Sequence, residues 1–384
     1  MKKDWETKSL GEICEIYQPK TISTKEMVPN GKYVVYGANG IIGRYDKYNH
    51  EEPQLLITCR GATCGYVNIS TPQAWITGNA MVVRPKNSSI DLKFIEYLFR
   101  GGLDLSKTIT GAAQPQITRT TLAPLSISYP KSLAEQQRIV TILDEAFVAI
   151  TKAKENVAMN LQNARTIFKS QLQSTFDKAW QEFDLVPLSD LATDITDGDH
   201  MPPPKSITGI PFITIGNIVK DTRKIDFTDT FKVSHKYFYS LKESKRPRRG
   251  DLLYTLTGSF GIPVIVDDDI DFCFQRHIGL IRPKPETNSL WLYYLLLSPK
   301  LFQQANEQAT GTAQKTVSLK VLRGFVVPNV SIEQQQTTVV KLNKLFEITQ
   351  LLESRYQQKL DNLEELKKSI SQKAFSGELA EAHV

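Results

Sequence analysis

Ser132-Leu133-Ala134-Glu135-Gln136-Gln137-Arg138-Ile139-Val140 decides the fold, because its design recurs: Ser331-Ile332-Glu333-Gln334-Gln335 opens a second segment of the same kind. A Ser with Glu or Gln three residues on is a capping box, in which the hydroxyl accepts from an orphan N–H and the acid or amide reaches back to the cap. Both sites therefore predict helix starts. From the first, steps of three and four place Val140, Leu143, Phe147, Ile150, Lys154, Val157, Leu161, Ala164, Phe168, Gln171 and Thr175 on one stripe, eight of eleven apolar. The second stripe is Val339, Leu342, Phe346, Thr349, Glu353, Tyr356, Leu360, Leu363, Lys367, Ile370 and Ala374, again eight of eleven. A seam this narrow, sustained for about six heptads without Pro or Gly, predicts a coiled coil. At about 1.5 Å per residue each helix spans roughly 65 Å, a spacer length. Two helices of equal design are expected to pack on each other, and the block between them lets the pair run antiparallel.

Working outward, the blocks before each helix also match, at an offset of about 180 to 200 residues. Leu10-Gly11-Glu12-Ile13 answers to Leu188-Ser189-Asp190-Leu191, and Leu55-Leu56-Ile57-Thr58 with Gly61 to Leu252-Leu253-Tyr254-Thr255 with Gly258. Arg84-Pro85-Lys86 recurs as Arg282-Pro283-Lys284, and Thr110-Gly111-Ala112-Ala113-Gln114 as Thr310-Gly311-Thr312-Ala313-Gln314. Asp91 to Phe99 and Ser289 to Leu297 read as short buried helices; Leu125 to Pro130 and Phe325 to Pro328 read as β segments entering the long helices. Short apolar runs between turn signals make each block mixed α/β or mostly β. The expected fold is α+β: two tandem mixed α/β domains, 1–131 and 181–330, separated by a long antiparallel two-helix coiled coil, 132–180 and 331–376. A tail, 377–384, follows, and the repeat gives an approximate two-fold axis.

Composition agrees with two globular domains. The 384 residues are 41% hydrophobic, 23% charged and 9% aromatic, which excludes wholesale disorder and a fibrous repeat. The net charge of +6 is informative by position: the four successive blocks 1–130, 131–182, 183–330 and 331–384 carry +4, +1, +2 and −1. The excess lies in the globular blocks. Cys14, Cys59, Cys64 and Cys273 make a poor disulfide framework and are expected reduced. The start has no apolar core of a leader, and no stretch approaches the length needed to span a bilayer, so a soluble cytoplasmic protein is expected.

Catalytic signatures are missing. No P-loop and no H-E-x-x-H occurs, and Cys59 and Cys64 have no neighbouring pair to complete a zinc tetrahedron. Asp267, Asp268, Asp269 and Asp271 read as a solvated turn rather than a cation site. Asp197-Gly198-Asp199-His200 is the most enzyme-like cluster, able in principle to do general-base work, yet a glycine turn with local Asp hydrogen bonds explains it more simply. No Pro-Pro-Tyr or Pro-Pro-Phe methyltransferase signature is present, and Glu243-Ser244-Lys245 matches only the tail of a nuclease motif.

What remains points to nucleic acid. Lys242, Lys245, Arg246, Arg248 and Arg249 form the densest basic run, interrupted by Pro247, and read either as solvated surface or as a phosphate-contacting loop. Thr257, Ser259, Gln275, Arg276, His277 and Lys315 join it as candidates in the second block. Asn39, Arg44, Arg60, Thr63, Asn79 and Gln116 are the candidates in the first. Arg can bridge G O6/N7 and Gln can bridge A N6/N7, each such pair contributing about 1–3 kcal/mol of discrimination.

The order and duplication of these segments closely resemble the specificity (S) subunits of type I restriction-modification systems, over nearly the whole chain. Thr110-Gly111-Ala112-Ala113-Gln114-Pro115-Gln116-Ile117 with Glu135-Gln136-Gln137-Arg138-Ile139 carries the match in the first copy. Thr310 to Val317, Glu333-Gln334-Gln335 and Lys373-Ala374-Phe375-Ser376-Gly377-Glu378-Leu379 carry it in the second. Tyr36-Gly37-Ala38-Asn39-Gly40-Ile41-Ile42-Gly43 and Asp197-Gly198-Asp199-His200 also look like recognition-domain motifs of that family. The resemblance implies two target recognition domains, each reading one half of a bipartite double-stranded DNA site, with the coiled coil setting the gap and docking two methyltransferase (M) subunits. Two restriction (R) subunits would complete the enzyme. S-adenosylmethionine, ATP and Mg would then be bound by the partner subunits, this chain holding no cofactor, metal or catalytic residue. The first copy departs in lacking the Ser-Gly-Glu-Leu that follows Phe375, which leaves its helix end open. A coiled-coil adapter with two protein-binding domains and a stand-alone endonuclease are the competing readings.

Overall fold

The computed structural model describes residues 4–111, 114–200, 203–312 and 314–380. The chain divides into two compact units, Met1–Met159 with Gln357–Val384, and Asn160–Tyr356. Each unit thus takes one globular block and a stretch of each long helix.

In the first unit a four-stranded antiparallel sheet runs in the order Cys14–Tyr17, Ala80–Pro85, Leu55–Thr58, Val67–Ile69. Its central strands are unbroken apolar runs, and Leu55, Leu56, Ile57, Ala80, Met81, Val82 and Val83 are all 1% exposed or less. The alternation of a strand explains why both faces need apolar cover. Leu55, Ile57, Met81 and Val83 face Phe94, Ile95 and Leu143, whereas Leu56, Ala80 and Val82 face Tyr36 and Ile76. The latter two belong to a three-stranded sheet, Gly40–Tyr45, Tyr33–Gly37, Trp75–Ile76, whose last pair is parallel.

The second unit repeats this plan. Its four-stranded sheet runs Ala192–Asp197, Ile278–Pro283, Leu252–Thr255, Pro263–Ile265, and its three-stranded sheet Phe231–Val233, Ile210–Ile213, Cys273–Phe274 again ends in a parallel pair. Trp5–Ser9 with Ser126–Pro130, and Leu185–Pro187 with Val326–Pro328, form matching two-stranded ribbons. The copies also differ. The second adds the pair Ile218–Val219 and Lys224–Ile225 and a helix, Pro299–Gln308. In the first, the expected helix from Asp91 to Phe99 is α-helical only over Leu92–Tyr97 and opens into a π turn at Leu98–Gly102. A Cβ on Gly102 would lie 2.5 Å from the Phe375 ring, so a side chain there would push the turn off the long helix.

The long helices are α1 (Leu133–Glu182) and α2 (Ile332–Ser376). The expected capping box forms only in half at α1. Ser132 Oγ accepts from the Glu135 N–H at 3.4 Å, but the Glu135 carboxylate turns forward to Arg138, at 2.8 Å on both oxygens. A two-pronged charge-assisted pair outcompetes one bond to a cap N–H. At α2 the Glu333 carboxylate accepts from its own backbone N–H and from the Ser331 hydroxyl, and these bonds hold it below the usual carboxylate range.

Antiparallel pairing is present in each unit by itself. In the first, Lys154 pairs with Glu364 and Lys367 lies 5.1 Å from the Phe147 ring; in the second, Arg165 pairs with Glu353 and Phe168 meets Phe346 edge to face. The α1 stripe is buried at Val140, Leu143, Ile150, Val157, Leu161 and Ala164 but does not continue to Gln171 and Thr175 as expected. Leu172, Phe176 and Trp180 replace them, with Phe176 fully buried 6.0 Å from the Trp291 ring. A helix turning every 3.6 residues drifts off a 3.5-residue seam, and here the globular core captures the drifted face.

Candidate nucleic-acid interface

The Thr-Gly loop of each repeat folds back on the exit of a central sheet strand, and the backbone frame is the same twice. In the first unit Thr110 and Gln116 exchange N–H···O bonds of 2.9 and 2.8 Å, Gly61 N–H donates to Pro115 O at 3.0 Å, and Ile117 N–H donates to Cys59 O at 2.9 Å. In the second Thr310 and Thr316 exchange bonds of 3.0 and 2.8 Å, Gly258 donates to Lys315 O at 3.0 Å, and Val317 donates to Leu256 O at 2.8 Å. Gly61 and Gly258 sit at φ +88° and +72°, where a Cβ would be strained, so glycine is what lets the strand exit turn toward the loop. On this frame Arg60 stands opposite Gln116, and Thr257 opposite Thr316. Arg60 is exposed, with no side-chain partner among the described residues. Thr257 is buried, its hydroxyl 3.4 Å from that of Thr316. One frame carries an exposed, long forked donor beside an amide; the other carries two short hydroxyls, that of Thr257 buried.

Other candidates of the first unit gather at the same strand exit. Asn39 is exposed in the turn between Tyr33–Gly37 and Gly40–Tyr45, and the Thr58 hydroxyl donates to Ala38 O, tying that turn to the sheet. Gln18 donates to Gly78 O at 2.9 Å and reaches Cys59 Sγ, which brings the loop of exposed Asn79 alongside. Thr63 is exposed within the loop after Arg60. Arg44 is not part of this group. It donates to Gly31 O at 2.6 Å and Lys32 O at 2.9 Å, closing the other end of its hairpin.

In the second unit the basic run is held from below by a buried ion pair. Arg282 donates to both oxygens of Asp251, at 3.0 and 2.8 Å, and to Arg246 O at 2.8 Å; the two side chains are 15% and 4% exposed. Above it, the charges have local partners. Arg248 pairs with Glu243, Arg249 lies 3.4 Å from Asp269, and Arg246 donates to Leu241 O. The first two are exposed pairs of the kind that contribute about 0.2–1 kcal/mol, weak enough to exchange for phosphate. Lys242 is exposed. Lys245 is 3.7 Å from Asp199 and donates to Gly198 O at 3.4 Å.

That contact joins the basic run to the Asp197-Gly198-Asp199-His200 segment, which is not the expected glycine turn but the end of the strand Ala192–Asp197 and its continuation, with His200 Nε2 and Asp197 Oδ2 3.1 Å apart. Gly198 passes so near Phe274 O that a Cβ would lie 1.9 Å from it. Asp199 bridges Gln275 and accepts from the Arg276 N–H at 3.2 Å; the next carbonyl, of His277, accepts from Leu256 N–H at 2.8 Å. Lys245, Gln275, Arg276, His277 and Thr257 are thereby brought together, with Arg276 exposed and its guanidinium without a partner among the described residues. Lys315 is occupied by Asn306 at 3.1 Å. Thr257 and Ser259 line a groove of about 350 Å³ together with Lys220 and Gln314. Lys220 escapes sequence reasoning because its strand pair has no counterpart in the first copy.

All four cysteines are free. Burial pushes the Cys59 thiol up to about 11 and those of Cys14 and Cys273 to about 12, so each stays protonated at neutral pH and is a poor nucleophile. Among the described residues no group of His, Cys, Asp and Glu could hold a metal ion, and no helix is long and apolar enough to cross a membrane.

Known proteins share this design. The family model of the type I restriction modification DNA specificity domain matches residues 2–159 and again 182–362. The EcoBI specificity subunit of Escherichia coli is 31% identical over 176 residues, which is 44% of this chain and 36% of that subunit's own length. The MjaVIII specificity subunit of Methanocaldococcus jannaschii is 21% identical over 408 aligned positions, covering 98% of this chain and 93% of the other. In fold, the HsdS subunit from Thermoanaerobacter tengcongensis superposes with a TM-score of 0.66 at 17% identity, over 98% of each chain. A chain from a structure on complex assembly and conformational transition of the type I R-M system reaches 0.71 at 17% identity, over 97% of each. With the domain matched in both halves and the same loop frame built in each, the chain belongs to the type I restriction modification DNA specificity domain family.

Proposed function

We propose that this chain reads DNA sequence for a type I restriction-modification enzyme, each domain recognising one half of a bipartite, asymmetric site. The observation that carries the proposal is the duplicated frame with unlike side chains, Arg60 and Gln116 in one copy and Thr257 and Thr316 in the other. A common frame docks two domains on DNA in a common way, while different donors and acceptors read different bases. Lys242, Arg248 and Arg249 serve as phosphate contacts that position the second domain.

The two long helices set the gap between half-sites and dock two M subunits. What supports docking is apolar surface left uncovered on them: Val148 is 70% exposed in one unit, and Val340 and Leu351 are 67% and 52% exposed in the other. Two R subunits complete the assembly. Methyl transfer, ATP use and cleavage lie in those partners, which bind S-adenosylmethionine, ATP and Mg, and the complex works in the cytoplasm.

Methylome sequencing of cells co-expressing the chain with its M subunit tests this. The expected motif has two unlike halves at a fixed spacing. A continuous or palindromic motif, or no methylation, contradicts it.

A further inference from the structure

We propose that α1 and α2 carry a charge code that selects the α1–α2 pair and rejects pairing of either helix with its own counterpart on a second copy. The apolar seams do not make this choice. Shifted by 199 residues, apolar positions of the two stripes coincide at Val140 and Val339, Leu143 and Leu342, Phe147 and Phe346, Val157 and Tyr356, Leu161 and Leu360, and Ala164 and Leu363, so packing along this stretch gives α1 little reason to prefer α2 over another α1.

Four charged positions make the difference. Lys154 pairs with Glu364 in the first unit, and Arg165 lies 3.3 Å from Glu353 in the second. Lys154 and Glu353 occupy the same place in the two stripes, and Arg165 and Glu364 each lie eleven residues further on. Each ion pair is therefore the image of the other under the repeat, with the signs exchanged: α1 supplies both cations and α2 both anions. One member of each pair is drawn toward the seam, Lys154 at 35% and Glu353 at 27% exposure. In the same antiparallel register, two α1 helices would set Lys154 against Arg165 twice, and two α2 helices would set Glu353 against Glu364 twice. Either symmetric pairing turns two attractions into two repulsions, the arrangement by which coiled coils exclude wrong partners.

The test uses full-length chains. Lys154→Glu/Arg165→Glu makes all four positions acidic, Glu353→Lys/Glu364→Lys makes all four basic, and the combined variant exchanges the signs. Each double variant should melt below the wild type at about 50 mM salt, the deficit shrinking toward 0.5 M as screening sets in, and the exchanged variant should recover most of the loss. Co-expressed under different tags, the acidic and basic chains should co-purify at least about tenfold more than two tagged wild-type chains, because only mixed pairing restores opposite charges. If a double variant folds only when co-expressed with its opposite, the proposal is supported by that recovery. Equal co-purification in every combination, or an exchanged variant no more stable than the doubles, overturns it.

Discussion

Gln136 and Gln335 make the same three hydrogen bonds in the two copies. The Gln136 amide donates to Pro130 O at 2.9 Å and Ser89 O at 3.0 Å, and its oxygen accepts from Asp91 N–H at 2.8 Å. Gln335 donates to Val330 O at 2.7 Å and Glu286 O at 3.3 Å, and accepts from Asn288 N–H at 2.7 Å. Both are buried, and each joins the first turn of a long helix to the segment that leads into it and to the cap of the short helix it packs on. One buried glutamine, second in Glu135-Gln136-Gln137 and third in Glu333-Gln334-Gln335, is therefore a clasp between spacer and domain. Its removal strands three backbone groups in the interior, so Gln136→Ala is expected to cost about 2–4 kcal/mol in urea unfolding. A cost under about 0.5 kcal/mol would mean that water or a neighbour takes over and that the clasp does not fix the helix.

Phosphate and base recognition separate by salt dependence. Arg248→Ala/Arg249→Ala should weaken binding of the intact complex to specific and unrelated DNA alike. The slope of log K against log salt should flatten by about 0.9 for each phosphate no longer neutralised. An unchanged slope would remove both arginines from the interface.

Acid should loosen the first unit through His50. Its Nε2 is 2.8 Å from the Tyr17 hydroxyl, its Nδ1 is 2.6 Å from Asn49 Oδ1, and burial, with Arg84 nearby, holds its pKa below the ordinary value. The folded state therefore favours the neutral ring. The stability this contributes is complete above the unfolded pKa of about 6.5 and is lost as pH falls through that value toward the lower folded one. His50→Gln should flatten the stability profile across that window while leaving pH 8 little changed; a profile identical to wild type would contradict the assignment.

The long helices were legible because their signals are local: a hydroxyl cap, then a seam with no helix breaker. The seam's far end was not, since Leu172 and Phe176 win over Gln171 and Thr175 only by packing on a core that includes Trp291, more than a hundred residues on. Glu135 was misread for a nearer reason, Arg138 being the stronger partner three residues away. In the site, the duplication of the Thr-Gly loops was legible, but the backbone frame that sets them against Arg60 and Thr257 was not, because those bridges join residues more than fifty positions apart. Arg44 looked equivalent to Arg60 as a residue type, but backbone carbonyls that accept from it leave no trace in sequence. Arg282 stood out only as part of a repeated Arg-Pro-Lys, and its buried partner Asp251 is 31 residues away.

The most direct measurement is the methylation motif written by the complex when one domain at a time is altered. Arg60→Thr/Gln116→Thr, which gives the first frame the side chains of the second, should change or relax bases in one half of the motif only. Arg276→Ala should relax or abolish the other half, since a bidentate side chain on a base edge supplies about 1–3 kcal/mol of discrimination. Helix packing and gap length should be unchanged in both variants. Motifs left intact by both variants, or both halves altered by either one, would contradict the account of two independent recognition domains.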